Sequence, residues 1–146
     1  RGVLGGQVED MAGEAIQKIT PRQLRYIHEH KTANLIQAAV VLGGMMAGLP
    51  HGKLKHITTF GLKVGLAFQI TDDILNATGT LEQLGKAVKS DMKRHKHTAV
   101  SQWGIKGAQQ RAEQLYKESL TALKLLGIST DSDLALVAYY VVHRSS

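Results

Sequence analysis

The sequence predicts an all-α fold, and three observations carry that prediction. Aromatic residues make up only 5% of the 146 residues, so the side chains that favour strands are scarce. Ala, Leu, Gln and Lys, all good helix formers, are abundant. Apolar positions recur at steps of three and four over long segments, and no run shows the two-residue alternation of a strand ladder. With 43% hydrophobic and 21% charged residues, the composition is that of one globular domain with its own core, not of a disordered tail.

The elements follow in order. Residues 5–19 predict a helix with a thin apolar signal. Thr20-Pro21-Arg22-Gln23 opens the next one: Thr20 caps it, Pro21 suits the first helical position, and Gln23 reaches back to the cap. Leu24, His28, Lys31, Leu35, Ala38, Leu42 and Met45 then alternate steps of four and three, which predicts one helix ending at Gly48-Leu49-Pro50. The cleanest period follows, where Ile57, Phe60, Gly61, Val64, Gly65 and Phe68 share one core-facing stripe. Its glycines let another helix approach closely, against a propensity cost of about 1 kcal/mol each. Gly79 to Gly85 reads as a loop, and residues 86–97 as a basic stretch interrupted by Asp91. Beyond Gly104 a helix carries Ala108, Ala112, Leu115, Ser119, Ala122 and Leu126 and stops at Gly127. Leu134 to His143 is a final amphipathic segment.

Charge and composition bound the function. Eighteen Lys and Arg against twelve Asp and Glu give +6, which suits an anionic partner: phosphate, nucleic acid or a membrane surface. The absence of cysteine excludes disulfides, thiolate metal sites and cysteine nucleophiles. No apolar run reaches the roughly 18 residues of a membrane span. The basic stretch lacks the interleaved aromatics that stack bases, and no recognition-helix or zinc-finger pattern accompanies it. There is neither a glycine-rich phosphate loop nor a serine nucleophile motif. His28, His30, His95 and His97 lie near lysines and not at metal-ligand spacing beside carboxylates, and most of them read as ordinary surface residues. A chain that opens on Arg1 is expected to be part of a longer protein.

Two features do not fit a plain helical bundle. Lys31 occupies a stripe position between Leu24 and Leu35, where its ammonium needs either an anion or a path to water along its own stem. Gln69, Asp72, Asp73 and Asn76 fall within an arc about 100° wide that borders the apolar stripe of their helix. Adjacent carboxylates repel unless a cation sits between them, and hard oxygen ligands suit Mg²⁺ bridged to phosphate. The alternative for Asp72 and Asp73 is a solvated polar edge.

Taken together, these residues resemble the C-terminal half of the trans-isoprenyl diphosphate synthases, the farnesyl and geranylgeranyl diphosphate synthase family. Gly6-Gln7 with Asp10 is similar to the family's Gly-Gln-x-x-Asp helix, and His28 to Thr32 followed by Leu35 to its His-x-x-Lys-Thr segment. Gly65 to Leu75 resembles the helix bearing the second aspartate-rich motif. Gly85-Lys86 with Asp91, Lys96 and Thr98 resembles the segment that follows it. The four pieces stand in the right order along nearly the whole chain.

The resemblance implies an all-helical bundle around a central cavity, of which residues 1–146 form the C-terminal portion of a single domain. It implies a transferase that condenses an allylic diphosphate with isopentenyl diphosphate, giving farnesyl or geranylgeranyl diphosphate, with Mg²⁺ as cofactor. Asp72 and Asp73 would be Mg²⁺ ligands, with Asn76 a possible third. Lys31, Lys86 and Lys96 would contact the allylic diphosphate. Thr32 and Gln69 would lie near the developing cation, and Phe68 would line the isopentenyl and cation region. A homodimer and a cytoplasmic location, or a plastid in a plant or alga, are further expectations, with no nucleic acid as partner. The chain departs from the family pattern in two places: Asn76 replaces a third aspartate, and Ala99 follows Thr98 in place of an aromatic residue. The first aspartate-rich motif and the basic residues for isopentenyl diphosphate are not among these residues, so the chain alone is expected to be inactive. The rival readings are a non-catalytic subunit of a prenyl synthase, a terpene cyclase, or a basic helical module for nucleic acid.

Overall fold

Thr20 and Gln23 close the capping box expected of them. The Thr20 N–H donates to Gln23 Oε1 at 2.8 Å, and the Gln23 N–H donates to Thr20 Oγ1 at 3.3 Å. The structure, a computed structural model, describes residues 20–83 and 98–144, apart from a few side chains that include Lys31. Helix α1 spans Pro21–His28. A π turn over Glu29–Ala33 follows, then α2, Asn34–Met46. After a short 3₁₀ turn, His51–Lys53, comes the long central helix α3, Leu54–Gln83. Helix α4 is Ala99–Leu126 and α5 is Asp133–His143. Among the described residues there is no strand, as the composition predicts. No helix among them is long and apolar enough to cross a membrane.

The π turn explains where the sequence reading goes astray. A π turn takes in an extra residue, so everything after it rotates by about 100° relative to a continuous α-helix. Leu24 and His28 are buried as the stripe predicts, but Leu35, Leu42 and Met45, its continuation, are 62%, 59% and 52% exposed. The face that packs instead carries Ala33, Ile36, Val40 and Val41. It meets α3 across glycines. A Cβ placed on Gly65 would stand 2.5 Å from the Ala33 Cα, and one on Gly61 would stand 2.8 Å from the Gln37 Cα.

Helix α3 is packed by the π turn and α2, by α4 and by α5. Ile57, Phe60 and Val64 of its stripe are almost fully buried. On α4 all six positions expected to face the core are buried, joined by Ala99 and Leu123. One boundary differs from expectation, and a short turn precedes another. The segment from Gly79 to Gln83, read as loop, continues α3, because one glycine costs only about 1 kcal/mol in a long helix. Gly104, with φ 68° and ψ 169°, breaks the helical conformation within α4, so the long segment bearing Ala108 to Leu126 begins just beyond it as expected, and a short helical turn from Ala99 precedes it. Thr98 and Ser101 form the capping box of α4, and Gly127 ends it in the left-handed conformation with φ 79°.

Lys63 on α3 and Glu118 on α4 are joined by an ion pair of 2.6 Å, partly shielded from solvent. The hydrogen bond from the Lys63 ammonium holds the Glu118 carboxyl below its ordinary range, against a smaller upward push from burial. A lowered folded-state value stabilises above the unfolded value, and that stability is lost as pH falls through the folded one. Glu118→Gln should therefore cost about 0.5–1 kcal/mol at neutral pH. The gap in Tm between the two proteins should close in acid. A gap that persists at low pH would assign the effect to packing and not to charge.

Candidate active site

The π turn brings Thr32 against α3, where its hydroxyl donates to Gln69 Oε1 at 3.0 Å. One helical turn further on, Gln69 Nε2 donates to Asp73 Oδ1 at 3.3 Å. The other oxygen of Asp73 accepts the backbone N–H of Ala99, the first residue of α4, at 2.7 Å. His28 Nε2, from the last residue of α1, stands 3.3 Å from the same oxygen. His28, Gln69 and Asp73 are all buried. Asp73 thus ties together α1, α3, the start of α4 and, through Gln69, the π turn.

Asp72 has a different setting, because neighbours on a helix point about 100° apart. Its side chain is 46% exposed. Asn76 Nδ2 donates to Asp72 Oδ2 at 3.1 Å, one turn away. Arg144 Nη2, just past the end of α5, lies 3.8 Å from Asp72 Oδ1, and its guanidinium sits 4.3 Å above the Phe68 ring. The donor set suits a hard cation only in part. Among the described residues no three His, Asp or Glu side chains converge as a metal cage. Mg²⁺, however, commonly takes one or two carboxylates and leaves the rest of its sphere to water and phosphate. Asp72 has room for that role, whereas three protein donors already engage Asp73.

The structure therefore gathers Thr32, Phe68, Gln69, Asp72, Asp73 and Asn76 along one stretch of α3 and the π turn facing it. Lys31 is placed by its backbone in that turn, and its side chain is outside the description. Gly6, Gln7, Asp10, Lys86, Lys96, His95 and His97 lie outside the described residues. Two participants escaped the sequence reading. His28 is a buried partner of Asp73 and not a surface residue; its place in the stripe, four after Leu24, was the available signal. Nothing in the sequence marked Arg144.

A family model described as polyprenyl synthetase matches residues 2–125. The chain belongs to the polyprenyl synthetase family. Among curated members, this polyprenyl synthetase chain is 34% identical over 145 residues to a geranylgeranyl diphosphate synthase of Cyanophora paradoxa, covering 99% of the chain and 48% of that protein. It is 41% identical over 146 residues to a dimethylallyltranstransferase of Fischerella ambigua, covering 99% and 41%. A solved Helicobacter pylori geranyltransferase, complexed with magnesium and isoprenyl diphosphate, superposes with a TM-score of 0.69 at 32% identity, covering 94% of the chain and 44% of that structure. The chain thus spans about half the length of the relatives it matches, or less.

Proposed function

We propose that the protein carrying this chain is a Mg²⁺-dependent trans-prenyltransferase that condenses an allylic diphosphate with isopentenyl diphosphate, with farnesyl or geranylgeranyl diphosphate as its product. The observation that carries this reading is the pairing of a half-exposed carboxylate, Asp72, with two hydrogen-bonded oxygen dipoles, the buried Gln69 one turn before it on α3 and the half-buried Thr32 on the facing π turn. Asp72 would hold the ion, with Asn76 fixing its rotamer. When bound, Mg²⁺ supplies Lewis-acid neutralisation of the diphosphate that leaves. Thr32 and Gln69 turn oxygen toward the allylic carbon as it becomes positive, in surroundings poor in water. Phe68 lines the apolar side of that space. Lys31, Lys86 and Lys96 would pair with the diphosphate. A homodimer remains part of the proposal on resemblance alone. The relatives' greater length, together with the lack of the first aspartate-rich motif in this chain, supports a site completed by residues beyond it.

The test is thermal stabilisation of the full-length protein by pyrophosphate. Tm should rise when pyrophosphate and Mg²⁺ are added together, by an amount that grows with the logarithm of ligand concentration, and hardly at all with either alone. Stabilisation indifferent to Mg²⁺, or salt-sensitive binding to nucleic acid in its place, would sink the proposal.

A further inference from the structure

Resting on the function just proposed, we infer that Asp73 and His28 are positioning residues that fix the direction of a hydrogen-bond chain, so that Thr32 meets the reacting carbon with lone pairs only. The direction follows from what each group can do. A carboxylate only accepts, so the amide end of Gln69 that faces Asp73 must be its NH₂. The carbonyl end is then the one that faces Thr32, and the hydroxyl proton is committed to it. A hydroxyl has one proton and two lone pairs. With the proton spent on Gln69, Thr32 presents only the negative end of its dipole to any group opposite. A hydroxyl free to rotate would do so only part of the time, and one whose proton pointed the other way would repel a carbocation.

The chain needs a fixed end, and Asp73 has one. The Ala99 N–H belongs to the helix backbone and cannot turn away, and at 2.7 Å it is the shortest bond in the set. His28 Nε2 approaches the same oxygen from α1, so two elements clamp the carboxylate from outside α3. Facing a carboxylate oxygen, that nitrogen is the one that carries the proton and donates. Asp73 on this view acts through Gln69 and Thr32, and need not touch substrate or ion.

Asp73→Asn is the discriminating variant. An asparagine that keeps the Ala99 bond through its oxygen turns its NH₂ toward Gln69, which reverses Gln69 and then Thr32. In the full-length protein kcat should fall on the order of 100-fold, the scale of losing one preorganised dipole. KM for both diphosphates and the Mg²⁺ midpoint should move less than about twofold, since neither is contacted. His28→Leu should lower kcat roughly tenfold, and His28→Gln, which retains an N–H for Asp73, should restore most of it. A several-fold rise in the Mg²⁺ midpoint of Asp73→Asn with kcat intact at saturation would make Asp73 a metal ligand and overturn the inference. Identical behaviour of the two His28 variants would reduce His28 to packing. A second readout needs no turnover and serves if Asp73→Asn folds poorly: the Gln69 side-chain amide should exchange slowly in the NMR spectrum of the wild type and faster in His28→Leu. An unprotected amide in the wild type refutes the hydrogen-bond order. A wild type that transfers no prenyl group refutes the functional reading, whatever that amide does.

Discussion

Gly65→Ala should destabilise the protein by about 3 kcal/mol, or roughly 10 °C in Tm, although alanine is the better helix former. The new Cβ would lie 2.5 Å from the Cα, 2.9 Å from the Cβ and 3.1 Å from the carbonyl oxygen of Ala33, itself fully buried. Main-chain atoms cannot rotate aside as a side-chain tip can, so α3 and the π turn must part. The propensity gain of about 1 kcal/mol is too small to offset that. Gly79→Ala is the matched control, since nothing lies within 4 Å of a Cβ there. It should be neutral or stabilising by up to about 1 kcal/mol. Equal Tm values for the two variants would show that the close approach is not real. Because the turn that moves is the one holding Thr32, Gly65→Ala should also lower kcat in the full-length protein.

The second large effect separates two adjacent carboxylates. Asp72→Ala should lower turnover roughly a thousandfold, since losing a metal-bearing carboxylate costs several kcal/mol and each 1.36 kcal/mol is tenfold. Its Tm should hardly change, because the side chain is half exposed and Arg144 is 3.8 Å away. Asp73→Ala should lose stability as well, by about 3–5 kcal/mol, as it strands the Ala99 N–H and the His28 ring in a buried place. Turnover and thermal unfolding measured on both variants decide the matter. Near-normal turnover in Asp72→Ala would remove the metal from the proposal, and equal Tm losses would deny the difference in their surroundings.

How much of this was legible depended on whether local phase was kept. Helix α4 could be read residue by residue, since Ala108 through Leu126 keep one α-helical phase and every expected position is buried. The stripe from Leu24 to Met45 failed halfway, because a periodicity argument assumes 3.6 residues per turn and the π turn breaks that assumption silently. The site divides in the same manner. Gln69, Asp72, Asp73 and Asn76 were visible as a pattern of polar residues beside an apolar stripe, whereas Thr32 was marked only by the family resemblance. That Asp73 is held by the Ala99 N–H while Asp72 stays half exposed depends on the short helical turn before Gly104, which no apolar period announced. Arg144 reaches Asp72 through the path of α5, which no spacing along the chain reports.

For a lineage, the meeting of Gly65 with Ala33 leaves little room to drift. At most buried positions a larger residue can be accommodated if a neighbour shrinks, so paired changes can wander together over generations. Here the obstacle at 2.5 Å is a main-chain atom, and trimming Ala33 to glycine would leave it where it is. No second-site exchange at 33 can therefore rescue an enlarged residue 65. Descendants keep the glycine, or they rebuild the turn that carries Thr32 and, with it, whatever chemistry that hydroxyl performs.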